Sequence, residues 1–476
     1  MKPISFKLVI IFFLCLSFNL KAQFQSGLRI GNYAGVNGLM QNPSFSNSSF
    51  LSWDLNLIAG GFFVYNGYQY VENTNLIHSL LNADRLTFRS TNPEKAATYP
   101  ENPLFYGFFD PSKSFDASVT TFLTGPSLSL RFKKFAAGIY FNNRFSLGAN
   151  NIDGNLSQPS LDQWGHLEQK AFDKMDAAGM AWSEIGLNFS TNIEKRRDRI
   201  ISLGVNLKYL LGYDGFYLKN YNQGNVIGIS DTMQLATGGP VEYGFSTGVA
   251  RDNSGYDVGI RGKGFGMDIG ASLILRSYDS RPYFFKFGLS LMDLGYVNFN
   301  KNAEFHYLDQ ATDVEIDYLD ILGTLTIDNL VSKASEQIMG DPLASKVADE
   351  FTILTPFAIN LTMDCSLSKY WYWGSQLTRR LDFTSNTIER ENILMTSLRF
   401  ENQTYEVGGN FILYNDIHPR MGAWLRMGPV TIGTDNIGSV FIKQTQLTGT
   451  DIYFALKINK FKAKYRENDP LENCGF

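Results

Sequence analysis

From Leu51 onward, apolar residues alternate with polar or small ones in run after run, the period-two pattern of strands with two unlike faces. In one run, Phe265, Met267, Ile269, Ala271, Leu273 and Leu275 share a face, while Gly266, Asp268, Gly270, Ser272 and Ile274 share the other. Ile201, Leu203, Val205, Leu207, Tyr209 and Leu211 stand in the same relation to Ser202, Gly204, Asn206, Lys208, Leu210 and Gly212. The pattern predicts fourteen strands, near 51–66, 115–132, 135–148, 181–193, 199–213, 262–276, 283–299, 353–365, 370–382, 389–400, 404–415, 419–427, 430–440 and 450–461. A soluble sandwich and a membrane barrel both alternate in this way. Three features select the barrel. Most runs reach the roughly 9–11 residues that cross a bilayer at a tilt, and glycine recurs on the presumed inner face. Aromatic residues also mark strand ends, at Trp53, Tyr65, Tyr209, Tyr213, Tyr283, Trp371, Trp373 and Tyr405. The expected fold is all-β, a transmembrane antiparallel up-and-down barrel, closed because an open sheet would leave backbone groups unpaired in lipid.

The connections set its orientation. Tight turns at 133–134, 194–198, 277–282, 366–369, 401–403 and 428–429 share one rim, and the long excursions 67–114, 149–180, 214–261 and 300–352 share the other. Short turns belong to the periplasmic side and long loops to the outside. Shorter outer loops are expected at 383–388, 416–418 and 441–449. Helical periodicity within the outer loops appears near 75–81, 161–180 and 328–339, where Leu330, Ala334 and Ile338 form one stripe.

Residues 1–22 have the layout of a secretory leader, with Lys2 and Lys7 before an apolar run from Leu8 to Leu20 and cleavage expected after Ala22. Export to the outer membrane follows. The organisation expected is a signal peptide 1–22, an N-terminal segment 23–50, a barrel 51–461 and a polar periplasmic tail 462–476. The segment 23–50 is rich in glycine and asparagine and enters from the periplasmic rim, which suits a luminal plug; the alternative is an untethered tail. Its one charge, Arg29, is expected to pair with an inward carboxylate such as Asp268, Asp364 or Glu406.

Composition agrees with this class and narrows the function. Of 476 residues, 44% are hydrophobic and 18% charged, below the roughly 25% of soluble domains. The leader holds three of the 42 basic residues and none of the 46 acidic ones, so the remainder carries net charge −7. That excludes a nucleic-acid partner, which requires a basic surface. Only Cys365 and Cys474 follow the leader; parity turns Cys365 outward, so no disulfide framework is expected.

Parity also turns Lys208, Asp268, Lys286, Asp364, Arg380, Arg399, Glu406, Arg426 and Lys457 into the lumen. Such a mixed set makes either a salt-bridged filling or a polar lining for a passing solute. Evidence of catalysis is weak. His78, His166, His306 and His418 fall in outer loops without metal-ligand spacing, and no serine sits in a nucleophile elbow. Gly262 to Met267 misses the dinucleotide fingerprint at its sixth position, and Gly433-Thr434-Asp435-Asn436 reads as a bulge or turn. No catalytic residue, metal or cofactor is assigned, and an enzyme is not expected.

Four stretches carry a family resemblance: the leader end Lys21-Ala22-Gln23, the run Gly31 to Gly38 leading to Asn42-Pro43, the strand Gly264 to Gly270, and Gly433 to Asn436. Through them the chain resembles, along essentially its whole mature length, a family of Bacteroidetes outer-membrane β-barrels described as a domain of unknown function. More distantly it resembles the fourteen-stranded long-chain fatty-acid transporter class and the barrels of type IX secretion. Those resemblances imply a luminal plug and either uptake of a hydrophobic or small amphipathic solute or docking of a secreted or gliding-apparatus partner; no functional residue is carried over.

Overall fold

The computed structural model describes residues 25–461 except 90–96, 110–112, 155–168, 229–232, 238, 251–254, 280, 310–313, 318–325, 382–385, 391 and 415–417. The leader, the tail, His166 and Cys474 lie outside the described residues.

The alternating runs close into a ring of fourteen strands. They are β1 (Leu51–Asn66), β2 (Ser114–Thr124, continued by Ser127–Arg131), β3 (Phe135–Asp153), β4 (Asp176–Lys195), β5 (Arg199–Asn220), β6 (Gly262–Leu275) and β7 (Phe285–Phe299). There follow β8 (Phe351–Leu354, continued by Ala358–Ser366), β9 (Trp371–Arg380), β10 (Ile393–Glu401), β11 (Tyr405–Tyr414), β12 (His418–Met427), β13 (Val430–Thr434) and β14 (Gly449–Phe461). Each pairs antiparallel with the next, and β14 returns to β1 from Leu51 opposite Phe461 to Tyr65 opposite Gly449. Tight turns do share one rim. In the turn before β7, hydrogen bonds from Arg281 hold the Asp279 carboxyl below its ordinary range.

Period two fixes what each face meets. Leu207 and Phe265 are 55% and 63% exposed on the outer wall, while their neighbours Asn206 and Asp268 are fully buried inside. A belt of this kind is stable only against lipid. Leu207→Asp is therefore expected to lower stability in bilayers by about 2 kcal/mol more than Thr120→Asp on the inner wall. Urea titration of the barrel folded into vesicles measures the difference, and equal losses on both faces would sink the face assignment.

Several boundaries differ from expectation. β3, β4 and β5 run farther outward, and Val241–Ser246 and Ala303–Leu308 extend the sheet beyond β5. Of the predicted helix at 161–180, the described part is strand, Gln169–Phe172 and then β4. The helix Leu76–Leu81 forms, and so does Ile327–Met339, but in the latter Leu330 is exposed and Ser335 is the buried residue. Tyr65 and Tyr283 leave the expected aromatic girdle and point into the core. Cys365 keeps the parity of Leu361, yet is buried in register with Phe285 and Trp373.

The largest departure is β13, which stops at Thr434 instead of 440. The Asn436 side chain accepts from the Ser439 N–H and starts a helix, Ile437–Phe441, that packs between the outer halves of β12 and β14. Ser439 and Asn436 tie it to β14 through Thr450 (3.0 Å) and the Gly449 carbonyl (3.3 Å).

Candidate functional site

Residues 25–50 lie inside the barrel as three single-turn helices, α1 (Ser26–Arg29), α2 (Val36–Leu39) and α3 (Phe45–Ser48). Helices this short leave most backbone groups without internal partners, so the wall must supply them. It does so from inward positions on many strands. Asn206 donates to the Leu39 carbonyl (3.1 Å), Asn188 to Pro43 (3.0 Å), and Ser290 and Asn360 both to Gln41 (2.6 and 3.2 Å). Asn42 donates in return to the carbonyls of Ala271 (3.0 Å) and Leu289 (3.2 Å). Gly35 is irreplaceable, since its φ of 54° is left-handed and a Cβ would stand 2.1 Å from Asp54 Oδ2. That same oxygen accepts the Val36 N–H at 2.8 Å.

Charged residues sort into groups at different levels. Beside the plug at the tight-turn end, Arg399 holds Asp364 with two hydrogen bonds (2.8 and 2.7 Å) and Glu401 with a third (2.8 Å). Asn32 of the plug joins Glu401 at 2.7 Å, and Tyr283 donates to Asp364 at 2.6 Å. Glu406 accepts from Trp424 (2.8 Å) and Arg426 (3.3 Å), with the Arg426 guanidinium 4.2 Å from the Tyr33 ring. Lys457 donates to the carbonyls of Tyr33 and Ala34, the latter at 2.9 Å, and Lys286 stands 4.1 Å above the Phe45 ring.

Farther outward lies a chamber of about 70 Å³, floored by Gln25, Arg29 and Met40 of the plug. At its wall Asp293 receives three cations, Arg144 (2.9 Å), Lys208 (2.6 Å) and Arg390 (2.8 Å). Lys208 also pairs with Asp268 (2.7 Å), Arg144 with Glu184 (2.9 Å), and Arg380 with Glu389 (3.1 Å). Residues 386–390 fold inward, so that Arg390 reaches the chamber and Ile388 joins a buried apolar cluster with Trp182, Val297 and Phe299. Sequence reasoning missed Asp293 and Arg390. Asp293 has φ 58° beside a register shift, which breaks the parity count, and 386–390 leaves the wall where a strand was expected from 389. Arg144 and Glu184 were legible by parity alone.

Arg29 does not pair with Asp268, Asp364 or Glu406. Those carboxylates are already engaged by Lys208, Arg399 and Arg426, and Arg29 instead faces the chamber with the Phe122 ring 5.8 Å away. Of the histidines, His306 is stacked on Tyr243 and bonded to Ser345 and Glu304, and His78 meets Thr74.

On the outer wall beside the chamber, β4 to β7 curve around a hollow of about 780 Å³ lined by Leu187, Leu207, Phe265, Met267, Leu294 and Tyr296. The hollow reaches Lys208, which also borders the chamber. Gly266 and Gly295 lie there, with Lys208 and Leu210 packed behind Gly266 and Thr355 behind Gly295.

No curated protein matches the sequence. Among solved structures, the P. putida toluene transporter TodX is similar over 90% of this chain and 95% of its own, at 9% identity and a TM-score of 0.38. A Pseudomonas aeruginosa FadL homologue is similar over 92% of this chain and 99% of its own, at 9% identity and a TM-score of 0.29. The translocator domain of autotransporter NalP from Neisseria meningitidis covers 86% of this chain and 88% of its own, at 8% identity and a TM-score of 0.30. A model described as "Family of unknown function (DUF5723)" matches residues 43–435, most of the chain, and the protein belongs to that family.

Proposed function

We propose that the protein is an outer-membrane transport barrel, exported by its leader, that passes a hydrophobic or small amphipathic solute sideways between its lumen and the bilayer. The observation that carries this reading is the shared border at Lys208, whose side chain lines both the apolar hollow on the lipid side and the internal chamber. A solute leaving there exchanges one apolar surface for another and avoids water. The Lys208 ammonium, tied to Asp268 and Asp293, is the part that must shift.

The test is uptake of the apolar dye N-phenylnaphthylamine by intact cells, whose outer leaflet slows its entry. Cells producing the barrel are expected to take up the dye several-fold faster. Gly266→Phe is expected to abolish the gain, because a Cβ there meets Lys208 at 3.5 Å and a ring fills the remaining gap. Rates equal to those of cells without the barrel would end the transport reading. The second reading, a non-conducting barrel that docks a secreted or surface protein, is favoured by one feature: Leu80, Leu81 and Phe88 in an outer loop are 65%, 78% and 51% exposed.

A further inference from the structure

Where β13 ends, the wall lacks a strand. Among the described residues, β13 pairs with β12 from Val430 to Thr434 and with β14 from Val430 to Gly433. Both neighbours run on past that point, β12 against β11 as far as His418 and β14 against β1 as far as Gly449. The helix Ile437–Phe441 occupies the space between them, burying Ser439 and Val440 and leaving Phe441 and Ile442 62% and 61% exposed. The apolar belt of the barrel reaches this height. Phe411 and Met421 pair across β11 and β12 just beyond the level of Thr434, and both are exposed on the outer wall.

A break in the ladder at that depth is tolerated only where side chains answer the freed backbone groups, because lipid offers no hydrogen bonds. Here they do. Gln444 donates to the carbonyls of Gly438 (3.2 Å) and Ile442 (3.1 Å), which would otherwise end the helix unpaired. At the other end Asn436 accepts the Ser439 N–H (3.3 Å) and donates to the Gly449 carbonyl of β14 (3.3 Å). In water those groups would be hydrated; against hydrocarbon the bonds are required. Lys443 follows Ile442 and is exposed, with a stem long enough to carry its charge back to the headgroups.

We infer that Phe441 and Ile442 form a lipid seat, a surface that rests among the acyl chains of the leaflet on the long-loop side. Lipid presses the helix into the gap, and the wall stays shut where its ladder is broken. The seat lies across the ring from the hollow of β4 to β7 and does not depend on the transport reading.

Spin labels on the full chain in dimyristoylphosphatidylcholine vesicles test the seat. Phe441→Cys, Ile442→Cys and Thr445→Cys are each labelled in a chain carrying Cys474→Ser, with Cys365 buried. Power saturation compares oxygen, which concentrates in hydrocarbon, with nickel ethylenediaminediacetate, which stays in water. The ratio of oxygen to nickel accessibility is expected to be several-fold higher at 441 and 442 than at 445, which is exposed just past Lys443. A ratio at 441 and 442 no higher than at 445 overturns the seat and leaves this face bare to water, open to a protein partner instead. A second measurement needs no label. Ile442→Asp is expected to lower the urea midpoint of the barrel in the same vesicles, and Thr445→Asp to leave it unchanged, because a charge is costly against lipid and not in water. Equal midpoints for the two variants overturn the seat as well.

Discussion

Asp293→Asn is expected to destabilise the folded barrel by about 3–5 kcal/mol, the cost of removing one partner from a buried ionic group. The side chain is 7% exposed and receives Arg144, Lys208 and Arg390 within 2.6–2.9 Å. An asparagine oxygen accepts hydrogen bonds but offsets no charge. Glu184 and Asp268 would still answer Arg144 and Lys208, whereas among the described residues Arg390 would keep no carboxylate within ion-pair distance. The loss is read as a fall in the urea midpoint of the folded, compact band on gels. Asp279→Asn in the tight turn before β7 is the control, because the Asp279 side chain is 52% exposed and its pairing with Arg281 is screened. If the two variants unfold together, the chamber's ion cluster is not a keystone of the fold.

Deleting residues 24–48 is expected to raise single-channel conductance sharply while the barrel still forms. The strand ladders do not run through the plug, and the asparagines and serines that hold it become hydrated in an open lumen, where they cost little. Conductance that stays at the level of the full chain would assign closure to the inward fold of 386–390 and the apolar cluster around Ile388.

How far the sequence reveals this molecule depends on how far period two extends. The fourteen strands, the rim of tight turns and the inward set from Lys208 to Lys457 all follow from parity, since a strand that crosses lipid must keep one face apolar along its length. Parity fails where one residue breaks the count. The left-handed Asp293 resets β7, and Asn436 turns the end of β13 into a helix through a single capping bond. Partner choice was not legible either. Asp268, Asp364 and Glu406 are engaged by cations of the wall, Lys208, Arg399 and Arg426, rather than by Arg29 of the plug.

The plug's hold on β1 and β14 bears on how the chain assembles. Residues 33–36 are bound from both sides of the seam where the ring closes, by Asp54 on the first strand and Lys457 on the last. Those strands are the two ends of the barrel in sequence, so neither half of the grip is useful until the final hairpin has arrived. A slip of two residues between β1 and β14 keeps the faces correct and the ladder intact, but carries Lys457 about 7 Å from the carbonyls it serves. The plug therefore seats only on a correctly registered seam. It acts as a proofreader of closure, and a misassembled barrel announces itself by leaking.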